Sequence, residues 1–448
     1  MKKFLLLIAS IVMIFTMASF AYAGEYDFVP ISALPGGEPT LIAANPTSAI
    51  RVQNDGEYID FVDVNPQIIN DRTMVPFRKI FNSLGVTDEN IKWTPETRTV
   101  NAKKDNVEIE LQIDNNVAKK IVSGDTTNIT LDSAPVIRDG RTLVPVRFIA
   151  ESMDRKVSWD AENRVVVIAD VKGMMADLRK SIPNYFELID AQKGVLNTYN
   201  ATMRVTGKVD YKNSENRSDN TNINIEGDIV VAKSNNAISL DMNCKLTGKG
   251  SAYEVIKSNK LTSINIKGII TEDKMYVYSP LFEKNTSGKW IVSDLDDTKS
   301  FSSLFEGANL DSKETIEKYL NEVEFDANTY SLLKTTFDAL KKVLSDDNVS
   351  VKGTSTKKYE IKIDALKLLK EFAKNEELKD LSLKNCLATI TGTIENGYAI
   401  KNGIKLNVKL VEEDETIVID LDANAKFSNI NESVSIKIPT GDQVVTAE

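Results

Sequence analysis

Two acidic runs hold the most concentrated chemistry in the chain: Glu412-Glu413-Asp414-Glu415 and the "DLDD" run from Asp294 to Asp297. Oxygen-rich clusters suit calcium. Neither run has the spacing of an EF-hand loop, and an acid run on a hairpin turn is ordinarily a solvated tip. Paired carboxylates also hydrolyse polymers, yet among the 65 Asp and Glu residues no pair stands out. Histidine is absent altogether, which removes the commonest general base and the commonest metal ligand together. Without it, neither Cys244 nor Cys386 has an obvious activating partner. The chain shows no phosphate loop, nucleophile elbow or zinc spacing. These residues assign no catalytic group, cofactor or metal, and the protein reads as a non-enzyme.

Binding chemistry is better placed. The phrase "DRTMVPFRKIFNSLG" starts at Asp71, and "GRTLVPVRFIAESMD" starts at Gly140. Pro66 and Pro135 match, as do Ile68 and Ile137, Arg72-Thr73 and Arg141-Thr142, and Val75-Pro76 and Val144-Pro145. So do Arg78 and Arg147, then Trp93 and Trp159 after three extra residues in the first copy. A recurring arginine at a helix start suits a cell-wall anion; the structural alternative is an ion pair with a hairpin acid such as Glu96 or Asp160. The tryptophans suit stacking on sugar rings, against the alternative of half-buried strand residues. Arg78, Arg147, Trp93 and Trp159 are therefore the candidate ligand or partner contacts.

The elements that must position them are legible. The copies run over about 50–101 and 117–170. "RTMVP" and "RTLVP" read as short strands ending at proline, which also suits the first turn of a helix. Phe77, Ile80, Phe81 and Leu84 then form one apolar stripe, and Val146, Ile149, Ala150 and Met153 form its twin. Gly85 fits a left-handed helix end, whereas Asp154 fits that position less well. "IKWTPETRTV" and "KVSWDAENRVVVIA" read as hairpins. Each copy is β-α-β-β with a preceding strand pair containing "EYIDF" or "TNITL". One copy alone is too small to bury much; two make a plausible domain.

"GRTLVPVRFIAE" and "VSWDAENRVVVIA" closely resemble the copper amine oxidase N-terminal-like domain, or stalk domain, over about 50–170. The resemblance implies a non-catalytic module of exported bacterial proteins. The first copy departs at "FRKIFNSLGVTDEN", where Phe and Lys replace the usual small or apolar choices. Oxidase activity itself is excluded: copper amine oxidases hold their copper with histidines, of which this chain has none, and the nearest context for a quinone-forming tyrosine, "PNYFE" from Pro183, has Phe186 where an acid is needed.

The rest of the chain frames this module. Lys2 and Lys3, the apolar run Phe4 to Met17, and Ala21-Tyr22-Ala23 read as a signal peptide over 1–23, cut before Gly24. Proline-rich 24–48 reads as a linker. Residues 171–195 read as helical with a break at Pro183. Many strands with one apolar face follow, interrupted by a helical insert over about 311–374. Asn396-Gly397 and Asn402-Gly403 are turn signals. The expected fold is α+β: tandem stalk repeats, then a large curved antiparallel sheet packed on helices over 171–448. The order of elements resembles LolA/LppX-type half-barrels that carry lipids or lipoproteins, through "KMYVYSPLFEKNTSGKWIVSDL", the helical middle and "FSNINESVSIKIPT". Cys244 and Cys386 fall in phase with apolar strand neighbours, with free thiols favoured over one long-range disulfide. A net charge of −10 argues against nucleic acid. The expectation is an exported, cell-surface protein without a membrane span after signal removal. Its partners would be a cell-wall polymer, a lipid or an envelope protein. A purely adhesive protein and a carboxylate-dependent wall hydrolase are the alternatives.

Overall fold

The computed structural model describes residues 49–192, 196–280, 287–294, 320, 323–367 and 382–446. The signal and linker readings lie outside them. The described residues divide into two compact units, one built from 49–180 with 320 and 323–338, the other from 181–294 and 339–446. Both are mixed α/β, and the fold class is α+β.

In the first unit the repeated phrase folds as its pattern requires. Strand β4 (Arg72–Pro76) runs into helix α1 (Phe77–Ser83), and β11 (Arg141–Pro145) into α2 (Val146–Ser152). Ile80, Phe81, Ile149 and Ala150 are fully buried. Both helices end alike: Val86 N–H donates to Phe81 O and Arg155 N–H to Ala150 O, each at 3.0 Å. Gly85 (φ 85°) and Asp154 (φ 58°) both hold the left-handed position, so the aspartate does adopt it, as Asp and Asn do more readily than bulkier residues.

The copies do not close separately. β4 and β11 pair antiparallel, Val75 opposite Val144, with Met74 opposite Pro145 and Pro76 opposite Leu143. Equivalent residues thus face one another about a local two-fold relation. Ion pairs repeat it: Arg72 with Asp132, and Arg141 with Asp63, both at 2.7 Å. The hairpins are exchanged as well. The first copy's lead strands β1 (Arg51–Asn54) and β2 (Glu57–Tyr58) join the second copy's β12 (Lys156–Asp160) and β13 (Val165–Ala169), in the order β12-β13-β1-β2. Reciprocally, the second copy's β8 (Val117–Val122) and β9 (Asp125–Thr130) extend the first copy's β5 (Ile91–Thr94) and β6 (Thr99–Lys104), through β7 (Val107–Gln112). A shared apolar core results, joining Val52, Phe81, Val100 and Leu111 to Ala118, Val144, Ile149 and Ile168, beside a smaller cluster of Val64, Met74 and Leu143.

Residues 323–338 complete this unit from far along the chain. Phe325 N–H donates to Ser158 Oγ (3.1 Å), and Ala327 N–H to Asp160 Oδ2 (3.3 Å). Asp326 caps the helix Ala327–Val343, accepting from Asn328 and Thr329 N–H. Tyr330, Leu333 and Phe337 on that helix are buried. Tyr330 reaches a cluster in which Arg155 bridges Asp55 (2.9 Å) and Asp170 (2.8 Å).

Among the described residues, the second unit is built on one twelve-stranded sheet. Its centre is β14 (Tyr199–Asn213), flanked by β15 (Thr221–Lys233) and β24 (Glu415–Ser428). Outward on one side lie β16 (Ala237–Lys249), β17 (Ser263–Thr271), β18 (Lys274–Tyr278), β19 (Trp290–Asp294) and β25 (Val444–Thr446). On the other lie β23 (Tyr398–Glu412), β22 (Leu383–Glu395), β21 (Thr356–Asp364) and β20 (Val349–Lys352). All pairs are antiparallel except β19 with β25. Tyr199, Ala201, Met203, Val205 and Val209 alternate inward on β14, as the period-2 pattern demands. Helices Pro183–Ala191 and Ser251–Ser258 bury Phe186, Leu188, Ala252 and Ile256.

Two local readings change. Within 311–374, residues 349–352 and 356–364 are strands β20 and β21 rather than helix; Tyr359 and Ile361 are buried in alternation, a two-residue period no helix could satisfy. Asn396-Gly397 does form a tight turn between Glu395 and Tyr398, but Asn402-Gly403 lies inside β23. There a Cβ on residue 403 would come within 2.6 Å of Asn424 Oδ1 and 2.7 Å of Thr391 Oγ1, so the glycine permits close strand packing. Buried Asn402 accepts a hydrogen bond from Tyr359 Oη at 3.0 Å.

Both cysteines are free thiols. Cys244 on β16 and Cys386 on β22 are five strand positions apart, roughly 24 Å along the sheet, far beyond disulfide reach.

Candidate functional site

A cleft of about 750 Å³ opens on the first unit. Its floor and walls come from the 61–64 segment, the start of α1, β5, and the turn between β10 (Val136–Arg138) and β11. The strand-to-helix junction at Pro76 turns Phe77, Arg78 and Lys79 toward it, and β5 delivers Trp93. Both copies therefore build it: α1 and Trp93 from one, Arg141 from the other.

The cations differ in their engagement. Arg78 Nη1 lies 3.0 Å from Asp88 Oδ1, and its guanidinium sits 5.7 Å from the Phe77 ring centre. Asn82 also donates to Asp88, at 3.2 Å. The Arg78 hydrogen bond and then the Asn82 bond hold the Asp88 carboxyl below its ordinary value. Arg141 grips Asp63 Oδ2 through Nε (3.1 Å) and Nη2 (2.7 Å). Lys79 has no ion-pair partner among the described residues. Phe61, Phe77 and Trp93 pack partly against the core while lining the cleft. Val62, 82% exposed, stands at its edge.

Of the four residues singled out by recurrence, the structure brings Arg78 and Trp93 into this cleft. Arg147 and Trp159 are not in it. Arg147 lies 3.6 Å from Glu151 one turn along its own helix, and donates to Val157 O at 3.4 Å. Trp159 is exposed on β12. Neither arginine takes the hairpin acid expected for it. Arg78 finds Asp88, which sits in the first copy's longer loop, and Asp160 is occupied elsewhere. Burial pushes the Asp160 carboxyl up, but hydrogen bonds from Asn163 and Ala327 outweigh that and lower it. Recurrence alone did not mark Phe61, Asp63, Lys79 or Asp88. The Arg72/Arg141 match was the available signal for the Asp63 pair.

The acidic run at 412–415 behaves as turn chemistry. Asp414 accepts from Ser214 Oγ (2.8 Å), and Glu415 accepts from Tyr211 Oη (2.7 Å). Asp294 lies 3.5 Å from Lys274; residues 295–297 fall outside the described set. Among the described residues no group of three or more Cys, Asp or Glu is arranged to hold a metal, and no helix is long and apolar enough to cross a membrane.

No curated protein matches the chain. Among solved structures, one similar chain is described as "Lipid-protein interactions in lipovitellin": TM-score 0.23, 6% identity, covering 55% of this chain and 27% of that one. This chain thus spans about a quarter of that protein's length. Another is a β-barrel-like protein of domain of unknown function DUF1849 from Brucella abortus: TM-score 0.13, 6% identity, covering 52% of this chain and 98% of that one. At such scores neither likeness bears on function. The interlocked module is matched directly: residues 53–168 fit the family model of the copper amine oxidase N-terminal domain, the family its repeated motif resembles.

Proposed function

We propose that this protein is exported and acts at the cell surface as a non-catalytic binding protein, its stalk module accompanying a sheet domain that takes an apolar ligand or envelope partner. The observation that carries this reading is the one-sided sheet. Its central strands bury Met203, Val205, Ile225 and Leu421, while the same apolar face on flanking strands leaves Leu240, Met242, Ile264, Leu406 and Val408 only half-buried. A curved sheet with such a face is where ligand pockets form. The amine oxidase N-terminal match supports a stalk-like role without chemistry of its own.

Native mass spectrometry of protein recovered from its own host tests this reading. A mature chain beginning at Gly24 and carrying a lipid-sized adduct supports it. A ligand-free mature chain that sediments with cell walls replaces the carrier with an adhesive protein. A chain retained inside the cell with residues 1–23 attached overturns the exported reading.

A further inference from the structure

We propose that the cleft beside Trp93 is a binding site for an acidic saccharide, a sugar or polyol segment bearing carboxylate or phosphate. The proposal rests on the envelope reading for where such a ligand is met, while its chemistry stands on the cleft.

Aromatic surface and positive charge meet there in the way this ligand class needs. Trp93, Phe61 and Phe77 give apolar faces against which a sugar ring packs. The Trp93 indole N–H has no acceptor among the described residues, leaving a donor for a hydroxyl. Arg78, Lys79 and Arg141 face the same space against the single lining acid Asp63, already held by Arg141. Arg78 keeps donors beyond the one given to Asp88, and Lys79 is unpaired among the described residues. With Asp88 offsetting Arg78 and Asp63 offsetting Arg141, Lys79 leaves one positive charge in excess at the cleft, on a chain of net charge −10, which favours an anionic ligand there.

The comparison between the copies sharpens the point. Phe77 stands where the second copy has Val146, and Lys79 where it has Phe148. Both departures line the cleft. The insertion that carries Asp88 anchors Arg78 at its edge. The features that set the first copy apart from the second thus converge on one cleft.

The test uses the full mature chain and three probes: trigalacturonate, a glycerol phosphate trimer, and uncharged galactotriose. Tryptophan fluorescence and calorimetry read binding. The expected result is that at least one acidic probe binds, with galactotriose weaker by about tenfold or more. Which acid binds better names carboxylate or phosphate as the group read. Lys79→Glu, an exposed change, should weaken acid binding by about tenfold. Trp93→Phe should abolish the fluorescence response, whereas Trp159→Phe should keep it. Thermal melts check that each variant folds. No binding of either acidic probe, equal binding of galactotriose, or an affinity untouched by Lys79→Glu overturns the site. Because binding is read on purified protein, it stands or falls separately from export.

Discussion

Tyr330 donates its phenol proton to Asp55 Oδ1 at 3.1 Å, although 275 positions separate the two residues. Asp55 also accepts from the backbone N–H of Asp170 (2.7 Å) and pairs with Arg155. One carboxylate thus ties the first strand, the end of the second copy and the distant helix together. Burial, and after it the negative charge of Asp55, push the Tyr330 phenol well above its ordinary range.

That raised value has a definite sign. A phenol whose folded pKa exceeds its unfolded value of about 10 stabilises the fold fully below that pH, and the contribution disappears as pH rises toward the folded value. Tyr330→Phe should cost about 1.5–3 kcal/mol at neutral pH, the range for a hydrogen bond to a charged group, as measured by urea unfolding. It should also flatten the loss of stability above pH ~10. An unchanged alkaline slope in the variant would show that the phenol is not the responsible group.

The exchanged hairpins predict that one copy is not a folding unit. A fragment of residues 49–104 keeps β1, β2, β3 (Gln67–Ile69), β4, β5 and β6 but loses β13 beside β1, β11 beside β4, and the β7–β9 extension. It should show no cooperative urea transition by circular dichroism, since a chain this short has little core to spare. A sharp transition would mean that the copies close independently.

Gly227 faces Cys244 across β15 and β16, and a Cβ there would lie 2.4 Å from Cys244 Sγ and 3.0 Å from Asn243 O. Gly227→Ala should destabilise by about 1–3 kcal/mol through overpacking. Adding Cys244→Ala should recover part of that loss, giving non-additive energies in a double-mutant cycle. Additive energies would place the strain elsewhere.

Burial raises the thiol pKa of both cysteines, helped by Asp228 for Cys244 and by Asp364 for Cys386. Only the thiolate is nucleophilic. Alkylation of the native protein by iodoacetamide should therefore be slower at pH 7 than that of a free cysteine, and should accelerate as pH rises. Fast labelling at neutral pH would contradict the packing described for these strands.

Local patterns carried much of this architecture. The helix stripes of α1 and α2, the strand-ending prolines, the Asn396-Gly397 turn and the alternation along β14 all act over a few residues, and each formed as its spacing demands. The exchange of hairpins had no such signature, because pairing β1 with β13 joins residues more than a hundred positions apart. Strand β7 alternates Val107, Ile109 and Leu111, yet it lies between the two copies and has no counterpart in the repeat to mark it. Asn402-Gly403 is a strong turn dipeptide that long strand pairing overrode. For the cleft, recurrence found Arg78 and Trp93. It could not find Asp88, which has no twin, or the Asp63–Arg141 pair, whose partners are 78 positions apart.

The position of Tyr330 and Phe325 late in the sequence sets an order of events during synthesis. The ribosome releases the tandem copies long before these two residues emerge, although domains commonly fold as they appear, N-terminal first. Until most of the larger sheet's first half has also been made, Ser158, Asp160 and Asp55 lack the hydrogen bonds that Phe325, Ala327 and Tyr330 donate to them. A nonsense mutation just before Phe325 would therefore damage a region finished, by sequence, at residue 180. Its harm would reach back to the start of the protein, in addition to removing β20 to β25 from the larger sheet.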